Sequence, residues 1–159
     1  MIRLELVNKK DKEKLRNINQ KYLYEMTNYY SDQMDSNGNY QYGYFDLYFI
    51  EENRKPYFIY NDLDLVGFVF INNYSYFNEE VDYVIAEFTI FPMYRGNGYS
   101  KDAINVLFNM YKGNWEIKYH KKNKIAKKLW NDVTCKFNPK RIKYSENEVV
   151  LKFNNRGEE

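Results

Sequence analysis

The run Glu87-Phe88-Thr89-Ile90-Phe91-Pro92-Met93-Tyr94-Arg95-Gly96-Asn97-Gly98-Tyr99-Ser100 holds the residue types and spacing best suited to chemistry. A strand-forming stretch breaks at Pro92 into a basic turn containing glycine, and an amphipathic helix opens directly behind it. Such a turn aims several backbone N–H groups at one point, and the helix beyond adds about half a positive charge at its N-terminus. That combination makes a cradle for a phosphate-class anion, which glycine lets approach without an obstructing side chain. A P-loop is excluded because no Gly-Lys-Ser/Thr follows. The dinucleotide fingerprint fails as well, since its third glycine is absent and the preceding strands read as an antiparallel meander. Just upstream, Glu87 interrupts an otherwise apolar strand. A carboxylate so placed suits a general base, against the plainer reading of a solvent-facing group or a partner for a lysine on the next strand.

Composition removes other chemistries. The chain has 159 residues, with Lys+Arg 24 against Asp+Glu 22 and a formal charge of +2. A chain of this length reads as one domain, residues 1–159, and an aromatic share of 19% argues for a globular protein. Cys135 is the single thiol and His120 the single imidazole, so an internal disulfide and a Cys/His metal site are both excluded. Cys135 reads as a small buried hydrophobe, and His120, inside the basic run Lys118 to Lys122, as a solvated surface residue. The start of the chain lacks the apolar core of a signal peptide, and no stretch approaches the roughly 20 apolar residues of a membrane span, so a cytoplasmic protein without a membrane partner is expected.

The elements that must position the site follow from periodicity. Residues 2–7 alternate as a strand, and Leu15, Ile18, Tyr22 and Met26 predict a helix over about 11–29. Turn chemistry fills 31–39, and 45–52 reads as a short second helix. Strands are predicted at 57–60 and 65–71 around the turn Asn61-Asp62-Leu63-Asp64, and again at 82–91. A helix at 101–112 stops at Gly113. A strand at 115–119, a helix at 124–131 and a closing hairpin at 141–144 and 149–153 complete an α+β order around a mixed sheet. Residues 154–159 read as a frayed polar tail.

At these residues the sequence resembles the GNAT superfamily of N-acetyltransferases, which use acetyl-coenzyme A. The family's pyrophosphate loop has the form Arg/Gln-x-x-Gly-x-Gly/Ala, and Arg95, Gly98 and Ser100 fall on its three marked positions. Ser100 departs from the usual Gly or Ala but is still small. Downstream, Asn123, Ala126 and Leu129 match the family's Asn-x-x-Ala-x-x-Phe/Leu helix, and the element order agrees over nearly the whole chain. The resemblance implies a GNAT fold, a mixed and mostly antiparallel sheet of about seven strands flanked by helices. It also implies acetyl-coenzyme A as the acetyl donor, with no metal. Residues Arg95, Gly96, Asn97, Gly98, Tyr99 and Ser100 would hold the pyrophosphate mainly through backbone amides. Phe88, Thr89 and Ile90 would pair with the pantetheine arm, and Asn123 would sit beside the coenzyme unless it simply caps its helix.

An ammonium acceptor must lose a proton before attack, and Glu87 is the candidate base. The family's usual acid is a Tyr where this chain has Trp130, so Tyr119 or Tyr99 would protonate the departing thiolate, or water alone would. The expected activity is acetyl transfer to a small-molecule or peptide amine, with a homodimer left open. Two other classes compete: a sensor that binds an acyl-coenzyme A without catalysis, and a nucleic-acid module using the lysines between 118 and 128. Small net charge makes the second the poorer reading. Finally, Glu25, Asp32, Asp35, Asp46, Glu51 and Glu52 fall in a span, 22–53, without Lys or Arg, whereas residues 112–143 are strongly basic. An acidic, tyrosine-rich wall on the acceptor side predicts a cationic acceptor.

Overall fold

The structure, a computed structural model, describes residues 1–157. Seven strands and three helices follow the order the periodicity predicts: β1 (Ile2–Leu6), α1 (Lys12–Met26), β2 (Lys55–Asn61), β3 (Asp64–Asn72), β4 (Tyr83–Ile90), α2 (Tyr99–Met110), β5 (Asn114–His120), α3 (Lys124–Thr134), β6 (Lys140–Lys143) and β7 (Glu148–Asn154). The short helix expected at 45–52 is a single 3-10 turn, Asp46–Phe49. One sheet runs β1-β2-β3-β4-β5-β7-β6. Every neighbouring pair is antiparallel except β4 and β5, which pair in parallel.

The sheet separates two apolar layers. On one face Ile104, Leu107 and Phe108 of α2 and Trp130 and Val133 of α3 pack on Ile59, Val69, Ile85, Ile117 and Leu151. On the other, Leu15 of α1 with Phe45 and Tyr48 covers Phe58, Phe68 and Phe70. Gly67 lets β3 and β4 approach closely, since a Cβ there would lie 2.1 Å from the Thr89 carbonyl oxygen.

Two irregularities shape the centre of the sheet. Parallel pairing of β4 and β5 covers only Tyr83–Ile85 against Trp115–Ile117, after which the strands part. In β4 the register slips as well: Phe70 faces Glu87 while Ile71 faces Ile85, so Ala86 is an extra residue, a β-bulge. Ile85 packs with the α2/α3 layer, and Ala86 and Phe70, the partner of Glu87, belong to the α1 layer. The bulge therefore puts Glu87 on the α1 face next to Ala86, where strict alternation would have turned it to the other side, and returns Phe88 to the α2/α3 face.

The frayed tail expected from residue 154 does not begin there. Asn155 is buried; its Nδ2 donates to the carbonyls of Phe108 (3.1 Å) and Tyr111 (2.9 Å), and its Oδ1 accepts from Gly113 N–H (2.9 Å). One asparagine thus satisfies the open carbonyl end of α2. Glu158 and Glu159 lie outside the described residues.

Candidate active site

The turn after β4 has the geometry of an anion cradle. Gly96 (φ +84°) and Gly98 (φ +79°) both adopt the left-handed conformation that favours glycine, and nothing lies within 4 Å of a Cβ built on either. Gly98 is the residue from which α2 starts. Among the described residues, the amides of Gly96, Asn97, Gly98 and Tyr99 donate to no protein acceptor, while Arg95 N–H bonds Pro92 O and the first helical bond closes from Asp102 to Gly98. A pyrophosphate fits these free donors and the positive end of α2.

The Arg95 side chain faces away from that purpose. Its Nε donates to the Ile90 carbonyl (2.7 Å), one terminal nitrogen reaches Thr89 Oγ1 (3.3 Å), and both terminal nitrogens clasp the Glu25 carboxylate at 2.8 and 2.7 Å. Thr89 and Ile90 are buried, and Phe88 stands edge-on to Trp130 with ring centroids 5.4 Å apart.

Where β4 and β5 part, a cleft of about 870 Å³ opens. Glu87, Phe88, Lys118, Tyr119, His120, Asn123 and Trp130 line it from the sheet and α3, and α1 and the 30–48 segment close it with Tyr22, Tyr30, Tyr40, Tyr42, Tyr44 and Tyr48. Glu87 is half-buried among these rings. Desolvation pushes its carboxyl up to about 7, although a hydrogen bond from Tyr22 and the nearby Lys118 ammonium both favour the ionised form. A carboxyl poised there exchanges protons with an ammonium at neutral pH far more readily than an ordinary glutamate.

Several sequence-based expectations resolve at this cleft. Asn123 both caps α3, with Oδ1 accepting from Ala126 N–H at 3.1 Å, and lines the cleft. Tyr119 lines it too, its hydroxyl meeting only Asn131 Nδ2 at 3.5 Å. Tyr99 is elsewhere, its hydroxyl accepting from Asn61 Nδ2 at 3.0 Å. His120 is not the solvated residue expected from its basic neighbours: it is 6% exposed, packed against Tyr29 and Tyr30, with Nδ1 accepting from Lys122 N–H at 3.1 Å. It ends a strand whose next turn carries the lysines, so composition hid its inward direction. Cys135, expected buried, is exposed at the end of α3 and does not line the cleft.

Sequence reading missed the internal ion pairs. Lys118 Nζ sits 3.0 Å from Glu148, above the rings of Tyr76 and Tyr144 (4.9 Å each), and Tyr30 donates to the same Glu148 at 3.1 Å. Buried Arg54 bonds Glu51 (2.8 Å) and lies over Tyr74 at 4.2 Å. These pairs correct the acidic wall. Glu25 faces Arg95, Asp46 faces Lys12 and Arg16, Glu51 faces Arg54, and Asp35 accepts amides of its own loop. Of the six acidic residues in that span only Asp32 lines the cleft. Cations from distant sequence neutralise Glu25 and Asp46, and Arg54, just past the end of the span, neutralises Glu51, none of which a charge count within the span registers.

No protein-family model matches the chain, and neither does any curated protein sequence. Solved structures match it along nearly its whole length. Spermidine N-acetyltransferase from Vibrio cholerae, in complex with CoA and spermine, superposes with TM-score 0.66 at 15% identity, covering 97% of this chain and 95% of that one. Arabidopsis thaliana NAA60 with a bisubstrate analogue gives 0.66 at 12% identity, with 97% and 98% covered. Aminoglycoside acetyltransferase AAC(6')-Ib with coenzyme A gives 0.70 at 12%, with 98% and 95% covered. The chain has the fold of the GNAT acetyltransferases.

Proposed function

We propose that this chain, built on the GNAT fold, is an acetyl-coenzyme A dependent N-acetyltransferase acting on a primary amine. The observation that carries the reading is Glu87, a carboxyl raised to about 7 in the fork between β4 and β5, beside an anion cradle of free amides. Backbone amides of residues 96–99 hold the coenzyme pyrophosphate, and the open edge of β4 at Phe88, Thr89 and Ile90 receives the pantetheine arm. Glu87 removes a proton from the acceptor ammonium, freeing the amine to attack the thioester carbonyl. As the carbon–sulfur bond breaks, the Tyr119 hydroxyl donates to the departing thiolate, and the second proton, lost from the attacking nitrogen as the neutral amide forms, restores that hydroxyl. Trp130, whose indole is a very poor acid, cannot do so.

The acceptor carries positive charge. Arg54 and Lys118 each bring their own carboxylate, so the unpaired charges facing the cleft are Glu87 and Asp32, set among tyrosine rings. Two structural neighbours hold polycationic amines, spermine in the Vibrio cholerae enzyme and kanamycin in AAC(6')-Ib. A specific feature, Trp130 at the usual acid position, favours one alternative, an acyl-coenzyme A sensor without turnover.

Thermal shift with acetyl-coenzyme A, followed by thiol release across amines of matched size and different charge, tests all of this. The expected result is stabilisation with turnover that rises with acceptor charge and loses that advantage in high salt. Stabilisation without turnover on any amine selects the sensor, and a salt-insensitive preference for neutral amines removes the cationic acceptor.

A further inference from the structure

We infer that the Glu25–Arg95 pair is a latch through which coenzyme binding sets the position of the acceptor wall; the inference rests on the coenzyme reading above. Arg95 belongs by its backbone to the glycine turn, yet its guanidinium joins three other parts of the molecule: the Ile90 carbonyl and Thr89 hydroxyl at the end of β4, and Glu25 on α1. The clasp on Glu25 is bidentate, the geometry that fixes orientation as well as distance. Glu25 itself is badly placed for its own helix. It lies in the last turn of α1, where the helix dipole disfavours a carboxylate and where no basic residue compensates. Arg95 supplies the missing positive charge from 70 residues away.

What the latch holds is the acceptor side. Tyr22, Leu23 and Met26 of the same helical turns line the cleft together with Glu87, and the Tyr22 hydroxyl is the neighbour that favours the ionised form of that carboxyl. Any ligand that orders the glycine turn therefore orders Arg95, then Glu25, then the tyrosine beside the base. Arg95 and Glu25 act here as positioning residues. The Arg of the motif works on the acceptor wall through its side chain while its loop serves the coenzyme through backbone amides.

Amide hydrogen exchange on the full chain, with and without coenzyme A, separates the two halves of this argument. In the wild type, coenzyme A should slow exchange both in residues 96–102 and in the last two turns of α1. In Glu25→Gln, which keeps size and loses charge, protection of the turn should persist while protection of α1 falls about fivefold or more, the low end of ordinary coupling between sites. The swapped pair Glu25→Arg with Arg95→Glu should restore it in part. Protection of α1 equal in wild type and Glu25→Gln overturns the latch and leaves the functional reading intact. No effect of coenzyme A on the turn of the wild type overturns both.

Discussion

Over Tyr83–Ile85 and Trp115–Ile117 strands β4 and β5 are hydrogen-bonded neighbours, and beyond Ile85 the same two strands diverge. Each half carries an inward glutamate, and the two have opposite fates. In the paired half Glu116 is fully buried and satisfied: it accepts from Ser75 Oγ (2.7 Å) and Tyr76 N–H (2.9 Å), with Lys152 Nζ 3.8 Å away. It pins the β3–β4 loop. In the diverging half Glu87 has a tyrosine, a more distant lysine and a cleft, so its carboxyl is held near neutrality. A buried carboxylate is structural where the backbone closes around it with donors, and becomes chemically available where the backbone opens and leaves them out.

The largest expected effect lies outside both glutamates. Gly98→Asp forces a side chain onto a left-handed residue and sets a carboxylate where the pyrophosphate is to sit, so calorimetry should find no coenzyme binding. Unchanged affinity in the folded variant would break the loop assignment. Next comes Glu116→Ala, which leaves Ser75 Oγ and the Tyr76 amide without their acceptor while Lys152 keeps Glu79, and should cost about 3 kcal/mol in denaturant unfolding, with activity per folded molecule largely kept. If activity disappears while stability holds, the division between the two glutamates is wrong.

A smaller effect sharpens the contrast. Burial raises Glu87 above its unfolded value, so the folded protein binds this proton more tightly than the unfolded chain does, and stability from this group falls as pH rises from about 4.5 to about 7. Glu87→Gln should therefore raise the melting temperature at pH 8 by a few degrees and hardly change it at pH 4. A lower melting temperature at pH 8 would make Glu87 a structural carboxylate like Glu116.

How much of this was legible in the residues differs by range. The β4–turn–α2 unit is local: Pro92, two glycines and the apolar face of 103–111 specify it, and the structure has it within two residues of the expected bounds. The same holds for the strand carrying Glu87. Its face was not legible, because it depends on a bulge at Ala86 that appears only in the register with β3. Nor was the parting of β4 and β5, which is set by non-local pairing. The charge wall failed for a related reason, since Glu25 and Asp46 find partners through the fold and Glu51 finds Arg54 just beyond the span that was counted. Glu25 did leave one trace, a carboxylate in the last turn of a helix without a nearby cation.

The pH dependence of kcat/KM with an amine that the protein acetylates, compared between wild type and Glu87→Gln, tests the central claim most directly. Glu87 must be ionised to accept a proton, so the wild-type rate should rise with pH and level off near 7, the value to which burial brings this carboxyl. Glu87→Gln should lose about 10²-fold at pH 7, bind coenzyme A as tightly as before, and lack that inflection, with partial recovery at high pH where the amine is already neutral. An unchanged rate and an unchanged inflection in Glu87→Gln would contradict the account.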